Sequence, residues 1–229
     1  MKCKLFIFSL LFLFNISNSF AKPISIDFSF IVATVFDKGN SFCHGFFIDN
    51  HTIILPSNCN INNITTVKKY KYSNNNSHIL ESNGLLLNTS LQTRDESNIA
   101  LLSTKKNIYL DTLVKLGSSD KNVIIPVFSD GVLFAMQGYL KKDKVYLYNN
   151  HKIKNCQIIA GTPILTTNKH ISVIDFFDST IPCSKVVNYS INTKYFIKKI
   201  DKLYNCFTLI NGFGDIYKNN SICNFRYSS

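Results

Sequence analysis

The side chains of this chain that could do chemistry are scattered rather than grouped. Nucleophilic catalysis needs a base within hydrogen-bond reach of an activated serine, cysteine or threonine, and no histidine of the chain lies in a recognisable motif of this kind: His44, His51, His78, His151 and His170. His151 precedes Cys156 by five residues, but a cysteine in a disulfide is not a nucleophile. The sequence also lacks P-loop, H-E-x-x-H and G-x-G-x-x-G motifs. It therefore predicts no metal site, no cofactor and no nucleotide site.

The cysteines are the most regular chemical feature. Seven occur, and six remain when Cys3 is excluded with the signal segment predicted below: Cys43, Cys59, Cys156, Cys183, Cys206 and Cys223. An even number of cysteines in an exported chain indicates a set of disulfides. Zinc binding is the rival, but there is no C-x-x-C or close Cys/His cluster to support it. Six cysteines can pair in fifteen ways, so their spacing alone leaves the connectivity open.

Three short motifs follow one another along the chain. They are Cys-His-Gly-Phe-Phe-Ile at 43–48 with Leu-Pro-Ser-Asn-Cys at 55–59, then Asn-Ile-Ala-Leu-Leu at 98–102, then Cys-Gln-Ile-Ile-Ala-Gly-Thr-Pro-Ile-Leu at 156–165. These resemble the C-G-G-S-L-I…T-A-A-H-C, D-I-A-L-L and C-x-G-D-S-G-G-P-L-V motifs of the trypsin-like serine proteases. The resemblance implies an all-β fold of two six-stranded antiparallel barrels with a C-terminal helix.

The resemblance also implies that the catalytic chemistry has been lost. Asn58, Asn98 and Ala160 stand at the positions of the general-base histidine, the orienting aspartate and the nucleophilic serine. Alanine has no hydroxyl to attack with, and an amide cannot act as a base near neutral pH or stabilise an imidazolium. Ile158 and Ile159 replace the glycine and the aspartate that precede the serine. Since losing the serine or the histidine alone costs about a million-fold in turnover, the resemblance implies a pseudoenzyme with no catalytic residue.

The family pattern further implies two disulfides and a filled specificity pocket. Cys43–Cys59 would brace the histidine loop, and Cys156–Cys183 would join the nucleophile loop to the pocket wall. The other two cysteines lie beyond the family pattern and are predicted to pair with each other: Cys206 and Cys223. Larger residues fall at the floor and at two wall positions of the pocket: Lys154, Phe177 and Val186.

Strand signals dominate the chain after the signal segment. Two runs of β-branched and aromatic residues, at 28–36 and 45–55, are separated by a hairpin-like Asp-Lys-Gly-Asn turn at 37–40. Nine shorter apolar runs follow between residues 85 and 177, with turn-prone residues between them. Strands at roughly 8–12-residue spacing favour an all-β sandwich or barrel.

One helix and the domain limits follow from the remaining pattern. Only 192–204 has helical periodicity, and its apolar residues share one face: Tyr195, Phe196, Ile200 and Leu203. A C-terminal helix also closes the trypsin-like fold. We therefore predict a signal peptide at 1–21, one trypsin-like domain at 22–204 and a C-terminal extension at 205–229.

The first residues are typical of a secretory signal. Lys2 and Lys4 precede an apolar run at 5–14, and a small-residue cleavage site follows. The run is shorter than the roughly 20 residues of a membrane-spanning helix. We therefore predict a secreted, extracellular protein.

Glycosylation is predicted at five Asn-x-Ser/Thr sequons: Asn63, Asn75, Asn88, Asn188 and Asn219. Three of them fall within the polar stretch 60–90, which is predicted to be exposed loop. This stretch and the extension at 205–229 are the candidate binding surfaces.

The chain is strongly basic. Its formal charge is +11, and removing Lys2 and Lys4 lowers it by two, to +9. Such a charge suits an acidic partner, although the abundance of Lys, Asn and Ile also matches the residue usage of an AT-rich genome. A polyanion site predicts that eight lysines cluster on one face: Lys68, Lys69, Lys71, Lys141, Lys142, Lys144, Lys152 and Lys154.

Three functions follow from these observations. The first is a non-catalytic binding protein with a protein partner, acting as a protease-cascade cofactor, a decoy or a ligand binder. The second is an enzyme with residual or unusual serine-type endopeptidase activity. The third is a cationic, antimicrobial-type factor that binds a polyanion or a membrane surface. No specific nucleic acid is predicted as a partner.

Overall fold

The computed structural model of the chain describes residues 26–34, 43–59, 64, 66–73, 77–94, 98–110, 114–117, 120–142, 144–148, 153, 155–166, 170–183, 186–190, 194, 196–201 and 203. In 88–94 and 186–190 only the backbone is described. The signal segment predicted at 1–21, the turn predicted at 37–40 and the extension predicted at 205–229 lie outside the described residues.

Strands account for most of the described residues, which confirms the all-β class. In chain order they are β1 Ile31–Thr34, β2 His44–Phe47, β3 Thr52–Pro56, β4 Thr66–Ser73, β5 Ser77–Arg94, β6 Ile99–Thr104, β7 Lys115–Leu116, β8 Asn122–Ser129, β9 Val132–Lys141, β10 Lys144–Leu147, β11 Gln157–Ile158, β12 Pro163–Thr166, β13 Ser172–Phe176, β14 Ile181–Pro182 and β15 Val186–Ser190.

The first six strands form a closed ring. Their pairing order is β4-β1-β2-β3-β6-β5, and β4 pairs with β5 to complete the circuit. Strands β1, β2, β3 and β6 are buried along their whole length. Successive side chains of a strand point to opposite faces, so these strands bury one face inside the ring and the other outside it. Continuous apolar runs such as Ile-Ala-Leu-Leu in β6 satisfy both faces.

The later strands form a second set, which joins the first through one pairing. Strands β8, β9 and β10 form an antiparallel meander, and β12 and β13 extend it beyond β8. Strand β15 pairs with β10, and the short β11 pairs with β8 and β14. The pairing of β5 with β9 connects the two sets. Among the described residues these later pairings do not close a ring, so a second six-stranded barrel stays a prediction.

Three apolar clusters fill this architecture. One lies within the first set, which we call the first core: Val32, Phe47, Ile53, Leu55, Cys59, Ile64, Val67, Leu87, Ala100, Leu102 and Leu110. The second core lies within the later strands: Val123, Ile125, Val127, Met136, Val145, Leu147, Ile158, Ile164, Ile174 and Phe177. A shared core joins residues of both sets, including Phe46 and Ile54 from the first and Leu133 and Val173 from the second. The two sets are therefore packed against each other by apolar burial.

A helix within 194–203 packs on the shared core, in agreement with the helix predicted at 192–204. Phe196, Ile200 and Leu203 are buried there. Their i, i+4, i+7 spacing places them on one face of the helix. Lys194 and Lys198 are exposed. In the part of the chain that the structure describes, no helix has the length and apolar character needed to cross a membrane.

Two predictions about local structure are wrong. The run 45–55 is not one strand, because a turn at 48–51 divides it into β2 and β3. Asp49 fixes this turn by accepting the N–H groups of His51 and Thr52. The stretch 60–90 is not an exposed loop, since β4 and much of β5 lie in it. The prediction failed because β4 has few apolar residues. Val67 and Tyr70 are buried, but their neighbours are polar, and a half-buried strand in a chain rich in Asn and Lys therefore resembles a loop in sequence.

Both disulfides implied by the family pattern are present. Cys43 is bonded to Cys59 across a sequence separation of 16, and Cys156 to Cys183 across a separation of 27. The first bond lies against the first core and the second against the second core. Cys206 and Cys223 lie outside the described residues.

Removing the first disulfide by a Cys43→Ala/Cys59→Ala double substitution is expected to lower the free energy of unfolding by about 3 kcal/mol, because the unfolded chain regains the freedom of that loop. Guanidinium denaturation of the oxidised proteins measures the difference. The matched Cys156→Ala/Cys183→Ala variant removes the disulfide that closes the longer loop, and its free energy of unfolding should fall slightly more. A loss below about 1 kcal/mol in both variants would contradict the chain-entropy explanation.

Candidate functional site

The fold brings together the three segments that carry Asn58, Asn98 and Ala160. The N–H of Ser57 donates to the carbonyl oxygen of Asn98 at 3.0 Å, which joins the end of β3 to the start of β6. The N–H of His44 donates to the carbonyl oxygen of Ala160 at 2.7 Å, which joins β2 to the turn between β11 and β12. The three sequence motifs therefore form one site where the two strand sets meet.

A single segment, Phe177 to Thr180, occupies the polar groups of this site. The side-chain amide of Asn58 donates to the carbonyl oxygen of Asp178 at 3.0 Å. The N–H of Ala160 donates to the hydroxyl oxygen of Thr180 at 3.0 Å, and the N–H of Gly161 donates to the carbonyl oxygen of Phe177 at 2.6 Å. The donors that this turn could offer to a ligand already have partners within the protein.

The backbone at Asn98 and Gly161 is left-handed. Asn98 has a φ of 68° and Gly161 a φ of 86°. Asparagine tolerates this region better than most residues, and glycine adopts it without strain. At Gly161 a Cβ would also collide with the carbonyl oxygen of His44 and with Cδ of Pro56. The turn after Ala160 is therefore built for glycine and is held tightly against β2.

The three positions of the predicted triad lack the side chains that acyl transfer uses in serine proteases. Ala160 carries no hydroxyl, and the positions beside it supply amides in place of an imidazole and a carboxylate. In serine proteases the backbone N–H at the nucleophile position also helps bind the oxyanion. Here that N–H, on Ala160, is bonded to Thr180.

Comparison with solved structures identifies the architecture. A crystal structure of an inactivated protease paralogue of the scabies mite, S-D1, superposes with a TM-score of 0.51 at 12% sequence identity, covering 80% of this chain and 96% of that chain. The chain has the trypsin-like fold. Kallikrein-related peptidase 10, in a complex with Zn²⁺, is also similar, with a TM-score of 0.49, 12% identity and coverage of 76% and 95%. No protein-family model and no curated protein matches the sequence.

In this trypsin-like fold, His44 takes the place of a glycine in the C-G-G motif. Its imidazole is fully buried, with Nδ1 at 2.7 Å from the hydroxyl oxygen of Thr162 and Nε2 at 2.7 Å from the hydroxyl oxygen of Tyr70. Tyr70 and Phe128 contact the imidazole ring edge to face. Burial lowers the pKa of His44 from 6.5 to about 3. The neutral imidazole therefore links β2, β4 and the start of β12 through hydrogen bonds.

Of the three predicted pocket residues, only Phe177 is described with its side chain. It belongs to the second core and is almost inaccessible to solvent. Lys154 lies outside the described residues, and of Val186 only the backbone is described. A filled specificity pocket therefore stays a prediction. Ile158 and Ile159, which replace the glycine and the aspartate before the serine in the motif resemblance, are also buried.

Two of the five predicted glycosylation sites lie in strands. Asn88 lies in β5 and Asn188 in β15. The other three sequons lie outside the described residues: Asn63, Asn75 and Asn219. Glycosylation at all five stays a prediction.

Two contributors to the site were missed by sequence reasoning. Thr180 bonds the N–H of Ala160 from 20 residues away, and no motif marks it. His44 bonds Thr162 and Tyr70 across sequence separations of 118 and 26 residues. The sequence does offer a signal that His44 is buried. The residue lies between Cys43 and the apolar run of β2, and such a run indicates a strand that is buried on both faces.

Proposed function

We propose that this chain is a secreted, catalytically inactive homologue of the trypsin-like serine proteases that acts by binding. The observation that carries the proposal is the bond from the N–H of Ala160 to the hydroxyl of Thr180. It occupies an oxyanion donor at a position that has also lost its hydroxyl. If only the triad side chains had been replaced, this N–H would still be free to bind the oxyanion of a substrate. Here the hydroxyl of Thr180 already accepts it.

Two further observations support the proposal. The scabies mite structure of the same fold is named as an inactivated protease paralogue, so the fold accommodates inactive members. The two disulfides of this chain are typical of proteins exported to an oxidising compartment. A rigid scaffold with exposed loops is suited to recognition, so we propose a protein partner, with a role as protease-cascade cofactor, decoy or ligand binder.

The wild-type protein is expected neither to react with a fluorophosphonate probe nor to hydrolyse a broad peptide library. Its turnover should lie at least about a million-fold below that of trypsin, since a serine and a histidine are both missing. Ala160→Ser should stay inactive, because the new hydroxyl would have no base. The Asn58→His/Asn98→Asp/Ala160→Ser variant should also stay inactive, since Thr180 still occupies the N–H of residue 160.

Trypsin is the positive control, and circular dichroism establishes that each variant is folded. A further Thr180→Gly substitution in the triple variant tests whether the blocked donor matters. Turnover by the purified wild-type chain would overturn the proposal in favour of the alternative, an unusual endopeptidase. Turnover by the triple variant would show that the bond to Thr180 is not a barrier.

A further inference from the structure

The outer face of the hairpin formed by β9 and β10 carries three tyrosines in mutual contact. Tyr139 and Tyr146 are directly paired across the strands, and their rings stack with centroids 5.1 Å apart at an angle of 12°. Tyr148 also contacts Tyr139, with ring centroids 5.5 Å apart. Tyr148 is 52% exposed. The opposite face of the same strands supplies Met136, Val145 and Leu147 to the second core, so the tyrosines lie on the solvent side.

Two lysines lie near these rings. Lys141 lies two residues beyond Tyr139 and therefore shares its face, and Lys142 follows in the turn. Both lysines are exposed. Lys121 is not included, because it lies opposite Leu140, which packs against the second core on the other face of the sheet. We call these five residues the tyrosine–lysine face: Tyr139, Lys141, Lys142, Tyr146 and Tyr148.

The face is positive even when its acidic neighbour is counted. Residues 139–148 contain three lysines and one aspartate. Within the described residues, Lys141 and Lys142 form no ion pair with a carboxylate. A net positive charge at this face suits an anionic partner.

The backbone at Lys142 is left-handed. Four non-glycine residues among the described ones have positive φ, and three are Asn or Asp: Asn98, Asp130 and Asn155. The fourth is Lys142, with a φ of 50°. Asparagine suits this position of a two-residue hairpin turn better than lysine does. An asparagine at this position would therefore remove a charge of the face without straining the turn.

The eight lysines whose grouping on one face would favour a polyanion site are dispersed where the structure describes them, and this dispersal favours genome composition as the origin of most of the charge. Lys71 is paired with Ile79, which is paired with Val132 at the start of β9. Lys141 lies at the other end of β9, about 30 Å farther along at 3.3 Å per residue. Lys68, Lys69 and Lys71 of β4 thus lie apart from the hairpin. The tyrosine–lysine face is a smaller and separate unit.

We propose that the tyrosine–lysine face binds a sulfated glycan. Phenol hydroxyls and ammonium groups donate to sulfate oxygens, and exposed aromatic surface packs against the C–H faces of sugar rings. Tyr139 and Tyr146 stack on each other, and of the three tyrosines only Tyr148 is classed as exposed. One open ring suits a single sugar, whereas single-strand binding proteins stack successive bases on several open rings. This inference rests on the proposed binding role and adds the class of ligand and its surface.

The test is titration of the full exported chain with heparin in 0.15 M salt. The Lys141→Gln/Lys142→Asn variant is expected to raise the Kd about tenfold, since two exposed charge contacts are lost. It should also flatten the dependence of Kd on salt. The matched control removes two charges from β4, Lys68→Gln/Lys69→Gln, and should change the Kd less than about twofold. Equal losses in both variants would overturn the proposal, because binding would then follow net charge.

Single substitutions separate binding from folding. Lys142→Asn relieves the left-handed backbone and should raise the Tm by about 2–4 °C, while it weakens heparin binding. Tyr148→Ala should weaken binding, whereas Tyr109→Ala, which removes a ring that is 85% exposed elsewhere, should not. Unchanged heparin affinity in both Lys142→Asn and Tyr148→Ala would overturn the proposal.

The choice of ligand is tested with three further probes. N-acetylated, fully desulfated heparin should not bind measurably. Tighter binding to oligothymidylate or to phosphatidylserine vesicles than to heparin would overturn the glycan assignment. Failure of these tests leaves the inactivity proposal intact, because the fluorophosphonate and peptide assays probe Asn58, Asn98 and Ala160 and not this face.

Discussion

The free energy of unfolding is expected to fall by on the order of 4 kcal/mol between pH 6.5 and pH 3 through His44 alone. Burial lowers the pKa of this imidazole from 6.5 to about 3. Between these two values the unfolded chain binds a proton that the folded chain does not. Stability therefore rises with pH across this window and is lost as the pH falls.

Urea unfolding of the wild type and of His44→Phe, measured at intervals between pH 7 and pH 3.5, isolates this contribution. The phenyl ring keeps most of the packing but leaves the hydroxyls of Tyr70 and Thr162 without the imidazole. The variant should be less stable at pH 7 by about 2–4 kcal/mol and should lose less stability on acidification than the wild type does.

Asp27 also makes the free energy of unfolding fall at low pH, so the His44→Phe variant is needed to isolate the contribution of His44. The pKa of Asp27 is lowered mainly by its hydrogen bond with His78, so stability gained from its ionised form is lost at low pH. His170→Gln serves as the control because His170 is exposed. Parallel pH profiles for wild type and His44→Phe would contradict the role given to His44.

Gly161→Ala is expected to lower the free energy of unfolding by more than about 4 kcal/mol. Its Cβ would meet the carbonyl oxygen of His44 and Cδ of Pro56, and neither group can move without shifting β2 or β3. The φ of 86° at residue 161 would also hold the alanine in the left-handed region, which lowers the free energy of unfolding further. Chemical denaturation and the yield of folded protein both report the loss.

The chain offers a matched control at Gly131. This residue has nearly the same φ, 84°, but a Cβ there would meet nothing within 4 Å. Gly131→Ala should therefore cost only about 1 kcal/mol, the backbone contribution alone. If the two substitutions cost the same, the close approach between the turn at Gly161 and β2 is not important for stability.

Sequence reasoning found the parts of the fold that short apolar patterns encode. Runs such as Ile99–Leu102 and Val123–Val127 are strands because continuous β-branched and aliphatic residues suit burial on both faces. The helix near Phe196 was visible from its period. Strand β4 was missed because it alternates few apolar residues with lysine and tyrosine, a pattern that resembles a polar loop.

The candidate site was only partly visible for a different reason. Local motifs located Asn58, Asn98 and Ala160, since each lies in a short stretch of recognisable sequence. The bonds from Thr180 to Ala160 and from His44 to Tyr70 and Thr162 join residues far apart in the chain. No local pattern encodes such contacts, and they become predictable only when the pairing of distant strands is known.

The placement of the two described disulfides bears on the order in which the chain can be oxidised. Cys43–Cys59 lies in the first strand set and Cys156–Cys183 in the second, and neither bond joins the sets. Since a chain is synthesised from its N-terminus, the first pair can be oxidised before the second pair has been synthesised. Each described bond can therefore form within its own strand set, and the two sets are joined by the pairing of β5 with β9 and by the shared core.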